Sequence, residues 1–185
     1  MPSIRKQEKK FGNGTKGNRV DSIRQRPFGP WRQMEKFIAD PERALTAIDA
    51  STGKTVWRTK ESMVRETVGL SEDKRRIYSK TMNDSVVCYS ATTDFPEKIW
   101  ASNVGFGYEH APSMPVEKEG VVFGSTKNGL MVGLDAHTGK VLWKHKVGNS
   151  LISTLVPLSK NKCLFPATGG EIGLLVIDYK INKHK

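Results

Sequence analysis

A chain of 185 residues and 20.6 kDa holds one domain with a real core and is too short for two ordinary ones. Hydrophobic residues make up 37% and charged residues 26%, a globular composition that excludes a collagen, a coiled coil or a wholly disordered chain. No apolar run approaches the roughly 18–20 residues of a membrane-crossing helix, and two cysteines, Cys88 and Cys163, exclude a disulfide-built scaffold and a four-cysteine zinc site.

The net charge of +11 is concentrated at the start. Residues 1–26 carry Arg5, Lys6, Lys9, Lys10, Lys16, Arg19, Arg24 and Arg26 against Glu8 and Asp21. Glycines lie between these charges and apolar residues are few, so 1–26 reads as a flexible basic arm. No apolar stretch follows the basic start, so a secretory signal peptide is not expected. Only Phe11 is there to stack on a base and no nucleic-acid motif follows, which makes a solvated tail the expectation rather than a nucleic-acid arm. Residues 27–42 open on the turn PFGP. Trp31, Met34, Phe37 and Ile38 then follow at helical spacing until Asp40-Pro41. This segment is expected to be a loop insertion with a short helix lying on a sheet.

From residue 43 the chain repeats. Trp57, Trp100 and Trp143 stand 43 residues apart. The phrase AIDASTGKTVW (47–57) returns as GLDAHTGKVLW (133–143), so Asp49, Ala50, Thr52, Gly53 and Lys54 recur as Asp135, Ala136, Thr138, Gly139 and Lys140. The copy between them, CYSATTDFPEKIW (88–100), is worn: Ser90 replaces the Asp and Asp94-Phe95-Pro96 stands in for Thr-Gly. A fourth copy starts at 174–178, with Asp178 lying 43 residues after Asp135, and the chain ends before its Trp. Aligning Tyr78, Phe123 and Phe165 also aligns Thr81, Thr126 and Thr168, and upstream Thr67, Pro112 and Thr154.

Each period holds four short β-like runs parted by turn signals such as Lys127-Asn128-Gly129 and Thr138-Gly139. Four antiparallel strands per period of this length build one blade of a β-propeller. The fold class is therefore all-β, with about 3.3 repeats of period 43 forming an incomplete propeller. The blades are expected as a partial one over 43–60, full ones over 63–104 and 109–147, and a partial one over 151–179. Within each phrase the Asp holds the turn by accepting backbone N–H groups, and the Gly takes a left-handed conformation. The Trp covers the neighbouring sheet. Asp49, Thr52, Gly53, Trp57, Trp100, Asp135, Thr138, Gly139 and Trp143 are thus read as structural docking residues, because a repeated motif supports a repeated interface whereas a ligand normally binds once.

These two phrases resemble the tryptophan docking motif of pyrroloquinoline-quinone-type propeller repeats, and the resemblance covers residues 43–179. The family includes quinoprotein alcohol dehydrogenases and the outer-membrane assembly lipoprotein of the β-barrel machinery. The resemblance implies a propeller of seven or eight blades in the parent protein and a periplasmic or cell-surface location. In such propellers the outer strand of the last blade often comes from the N-terminus of the full chain, so the fourth strand of the last blade is expected from outside these residues. Quinone binding is not implied. Quinoprotein dehydrogenases carry adjacent cysteines and a calcium-binding Glu/Asn/Asp set, and this chain has no Cys-Cys pair.

His110, His137, His145 and His184 form no HxxxH or HxH pair, and there is no GxSxG, P-loop or GxGxxG. No catalytic residue, cofactor or metal is assigned. The inner-strand starts offer one constellation at a channel mouth: Arg65, Glu66, His110 and Ser153. The expected function is a non-enzymatic interaction or scaffold module, the propeller portion of a bacterial surface or periplasmic protein. Its partner is another protein or the remainder of the parent propeller, and self-association is expected from bare sheet faces. The alternative is a fragment of a quinoprotein-type oxidoreductase, or of a hydrolase with an appended propeller.

Overall fold

The computed structural model describes residues 3–7, 35–39, 42–105, 113–126, 128–148, 152, 154–167 and 170–178. All regular structure among them is β-strand, arranged in four antiparallel sheets. The first sheet holds β2 (Glu35–Ala39), β3 (Leu45–Asp49) and β4 (Thr55–Thr59). The second holds β5 (Val64–Leu70), β6 (Arg76–Thr81), β7 (Ser85–Ser90) and β8 (Lys98–Asn103). The third holds β9 (Val116–Lys118), β10 (Val121–Ser125), β11 (Leu130–Asp135) and β12 (Val141–Lys146). The fourth is β13 (Val156–Ser159), β14 (Lys162–Ala167) and β15 (Glu171–Asp178), with β1 (Ser3–Gln7) on its outer edge.

Sequential pairing inside each sheet makes each a propeller blade, and the cores lie between blades. Leu45, Ala47 and Trp57 of blade 1 pack on Val64, Ile77, Val87 and Tyr89 of blade 2. Tyr78, Val86, Cys88 and Trp100 on the other side of blade 2 pack on Val122, Val132, Leu134 and Ala136 of blade 3. Val121, Phe123, Met131 and Trp143 then meet Cys163, Phe165, Leu175 and Ile177 of blade 4. Alternation along a strand sends neighbours to opposite faces, which is why Ile77 and Tyr78 serve different interfaces.

The chain ends differ from the expectation. Ser3–Gln7, placed by sequence in a flexible arm, pair antiparallel with β15 from Ser3↔Asp178 to Gln7↔Leu174. The fourth strand of the last blade comes from this chain itself. Residues 35–38, expected in a helix, are strand, because β3 offers them a partner ladder from Glu35↔Asp49 to Ala39↔Leu45. Trp31 and Met34 lie outside the described residues. The first blade thereby has three strands where two were expected.

The equivalence of Phe165 with Tyr78 and Phe123 also changes. Tyr78 and Phe123 face forward, onto the next blade, whereas Phe165 faces back into the core shared with blade 3. Counted from Asp178, the residue opposite Val176 is Lys162, so Lys162 stands in the register position that Phe123 holds opposite Gly133.

Candidate interaction site

Three tryptophans define one recurring joint. Each stands on an outer strand, opposite a small residue of the third strand: Trp57 faces Ala47, Trp100 faces Cys88 and Trp143 faces Gly133. A β-bulge follows at the same place in each sheet, between Ala47/Ile48, Cys88/Tyr89 and Gly133/Leu134. The small residue lets the ring lie flat on the sheet; a Cβ on Gly133 would sit 2.2 Å from the Trp143 ring. An aromatic ring of the second strand completes each joint, with centroids of Phe37–Trp57, Tyr78–Trp100 and Phe123–Trp143 at 5.9, 5.9 and 5.7 Å. All three tryptophans are buried.

In two of the joints the indole N–H reaches across to the turn of the next blade. Trp57 Nε1 donates to the Thr93 carbonyl at 3.2 Å and Trp100 Nε1 to the Ala136 carbonyl at 3.1 Å. Both acceptors lie 36 residues beyond their tryptophan. The same step from Trp143 leads to Tyr179, outside the described residues, and Trp143 Nε1 has no acceptor among the described ones.

The receiving turn is built by the Asp-x-x-Thr-Gly-Lys phrase. Asp135 Oδ1 accepts from the backbone of His137 (3.0 Å) and Thr138 (2.8 Å) and from the Thr138 hydroxyl (2.9 Å). Asp49 Oδ1 does the same for Ser51 (2.8 Å from N, 2.6 Å from Oγ) and Thr52 (3.0 Å). The Ser51 hydroxyl bond and these amides hold Asp49 below the usual carboxylate range. Partial burial works against Asp135, but the Thr138 and His137 bonds still keep it low. Gly53 and Gly139 each adopt φ of 71°, the left-handed region, and their N–H groups close the turn onto Asp49 and Asp135 carbonyls at 2.8 Å.

Of the expected channel-mouth set, Arg65 and Glu66 are among the described residues. Arg65 begins the inner strand of blade 2 but is buried, its Nε donating to the Thr81 carbonyl at 3.1 Å. Glu66 lies in β5, and His110 and Ser153 fall outside the described residues. Three residues that sequence reading passed over carry the polar contacts there. Lys80 Nζ donates to Ser113 Oγ (2.9 Å) and the Ser125 carbonyl (3.3 Å), and Ser125 Oγ donates to the Ile152 carbonyl (3.1 Å). These buried bonds tie blades 2, 3 and 4 near their inner strands, and the only sequence hint was a lysine inside an otherwise strand-like hairpin.

A second tie joins blades 2 and 3. Tyr78 OH donates to Glu117 Oε2 at 2.5 Å, and Arg76 reaches Glu117 at 3.5 Å and His137 Nδ1 at 2.9 Å. Burial, then the bond to Glu117, pushes the Tyr78 phenol well above its usual range. Burial likewise raises the Cys88 and Cys163 thiols to about 12, so both are packing groups and poor nucleophiles at neutral pH. They sit in separate cores. A shallow polar pocket of about 100 Å3 is lined by Glu61, Ser62, Thr81, Asn83 and Lys98, well under the several hundred Å3 of ordinary ligand sites.

A family profile described as outer membrane protein assembly factor BamB matches residues 41–96 and 83–181. BamB of Yersinia pestis is 28% identical over 123 residues, which are 61% of this chain and 30% of that protein. Among solved structures, BamB from Moraxella catarrhalis is similar with a TM-score of 0.61 at 14% identity, over 78% of this chain and 44% of its own. The β-propeller domain of Myceliophteria thermophila Cps50 (Swd1) gives 0.62 at 11% identity, over 77% of this chain and 49% of its own. Quinohemoprotein alcohol dehydrogenase from Comamonas testosteroni gives 0.50 at 18% identity, over 60% and 19%. At these identities the structures speak to the fold alone, and the chain spans less than half of each relative.

Proposed function

We propose, from the premise that this chain belongs to the pyrroloquinoline-quinone-like propeller repeat family described as outer membrane protein assembly factor BamB, that it is a non-enzymatic protein-interaction scaffold of a bacterial periplasm or cell surface. The observation that carries this reading is the use of the repeated residues: each of the three tryptophans is buried in a core between consecutive blades. The motif residues hold the scaffold, which leaves strand ends, loops and sheet faces as the working surface. The outward side of blade 4 supports self-association or docking of further propeller sheet, since Val156, Leu158 and Ile172 are 49, 50 and 63% exposed there. The chain is read as binding neither pyrroloquinoline quinone nor a catalytic metal.

Two titrations test this. The purified chain is titrated with an extended polypeptide from a bacterial outer-membrane β-barrel protein, diluted from denaturant, and saturable binding is expected. It is also titrated with the quinone and calcium while absorbance is followed, and no saturable site is expected. Quinone binding with dehydrogenase activity overturns the non-enzymatic reading; failure to bind the polypeptide overturns the protein-interaction reading.

A further inference from the structure

The turn between β7 and β8 of blade 2 is two residues longer than its counterparts in blades 1 and 3, and it carries Asp94-Phe95-Pro96 where they carry Thr-Gly. The added length is not used by the joint, because Trp57 donates to the Thr93 carbonyl, which precedes those three residues. The loop is fixed from within. The Ser90 N–H donates to the Glu97 carbonyl at 2.9 Å and closes the base, and the Phe95 carbonyl accepts both the Glu97 N–H (2.8 Å) and the Thr93 hydroxyl (2.9 Å). Pro96 locks the backbone between them. The side chain held by this frame is turned to water: Phe95 is 60% exposed, the one exposed Phe, Tyr or Trp among the described residues. Blade 2 packs on a neighbour at each side, so this ring does not belong to the face of a terminal sheet. The charge around it also runs against the rest of the molecule. The chain carries +11, yet Asp94 and Glu97 are exposed on either side of Phe95, and Lys98 gives its ammonium to Glu61.

We infer that the Ser90–Glu97 loop is a docking loop that inserts Phe95 into an apolar pocket rimmed by Lys or Arg on a partner protein. An aromatic ring on a preorganised loop has what an interface anchor needs: a large apolar area to bury and little conformational freedom left to lose. The two carboxylates beside it select a basic rim and disfavour an acidic one. They also disfavour a lipid surface, since anionic head groups repel them. The inference rests on the protein-interaction reading above and names the chemistry of one partner. The polypeptide titration probes extended chain anywhere on the surface, so either result can fail without the other.

The test uses the full chain and an amino-substituted β-cyclodextrin, an apolar cavity ringed by ammonium groups, as a stand-in for the pocket. Amide NMR spectra are recorded as this host is added. Saturable shifts are expected at residues 92–98 and not at 49–54 or 135–140. Unmodified β-cyclodextrin has the cavity without the charges and should bind about fivefold more weakly, as should the amino host with the Asp94→Asn/Glu97→Gln chain. Phe95→Ala should abolish the shifts and leave the melting temperature unchanged, as expected where an exposed side chain is removed. Three results each overturn the inference: no saturable shifts at 92–98, equal affinity for the two hosts, or a marked fall in the melting temperature of Phe95→Ala, which would make the ring a packing group. Phosphatidylglycerol vesicles form the last arm. The chain is expected to show no binding to them that depends on Phe95, and vesicle binding removed by Phe95→Ala would put a membrane in place of the protein partner.

Discussion

Gly53 and Gly139 occupy equivalent turns with the same φ, yet their replacement should not cost the same. Alanine at either position must adopt the left-handed region, which costs about 1–2 kcal/mol. At Gly139 the new methyl group also meets the Trp100 ring and must displace it, whereas at Gly53 it enters open space among the described residues. Thermal or urea unfolding should therefore find Gly53→Ala near that range and Gly139→Ala clearly worse. Equal losses would show that Trp100 does not rest on its turn. Trp143→Ala empties a buried joint and should cost about 3–5 kcal/mol. A variant that melts within about a degree of the parent contradicts an inter-blade role. Asp135 gives a pH signature. Burial works against its carboxylate but the Thr138 and His137 bonds hold it below the usual Asp range, so its stabilisation is present above the unfolded pKa and is lost as pH falls through the folded value. Asp135→Ala should cost about 0.5–2 kcal/mol at pH 7, as loss of a comparable cap does, and the difference from the parent should shrink as pH falls below the ordinary Asp range.

At the level of strands and blades, what could be read from sequence was what repeats locally. The spacing of Trp57, Trp100 and Trp143 and the two Asp-x-x-Thr-Gly-Lys phrases gave period, turns and interface residues, because each is fixed by contacts within one blade or its neighbour. What escaped depends on distant partners. Ser3–Gln7 has one apolar residue, Ile4, among polar and basic neighbours, and nothing in five such residues announces a strand; the ladder to β15 makes it one. Glu35–Ala39 fits a helical spacing equally well over so short a run, and the pairing with β3 decides. Lys80, Ser113 and Ser125 were invisible for the same reason, since their bonds cross from one blade to the next. The β1 assignment makes a local prediction. Removing residues 1–7 should strip hydrogen-exchange protection from the amides of 174–178 that bond to β1, while β6, β7, β10 and β11 keep theirs. Unchanged protection at 174–178 would mean that β1 does not hold that edge.

As a whole, the molecule is a row of four blades joined by three cores, each between consecutive sheets. Such a row gains stability from nearest-neighbour interfaces and leaves its end faces to something else. Blade 4 is apolar on both sides: Cys163, Phe165, Leu175 and Ile177 face blade 3, while Val156, Leu158 and Ile172 face outward. Sedimentation equilibrium at micromolar concentration should therefore give a mass above the 20.6 kDa of one chain, and Ile172→Asp should bring it down. A single 20.6 kDa species across the range would show that the chain satisfies its own ends. The seat of β1 also sets an order of events. Its partner strand β15 lies far later in the same sequence, so β1 leaves the ribosome long before the sheet it completes can be finished. Blades 2 and 3 need only neighbouring sequence and can form while synthesis continues. Blade 4 must wait, its outer edge bare, until the long loop between β1 and β15 closes. That closure is the slowest kind of contact to find and, with five paired positions behind it, the first that a pulling force on β1 would undo.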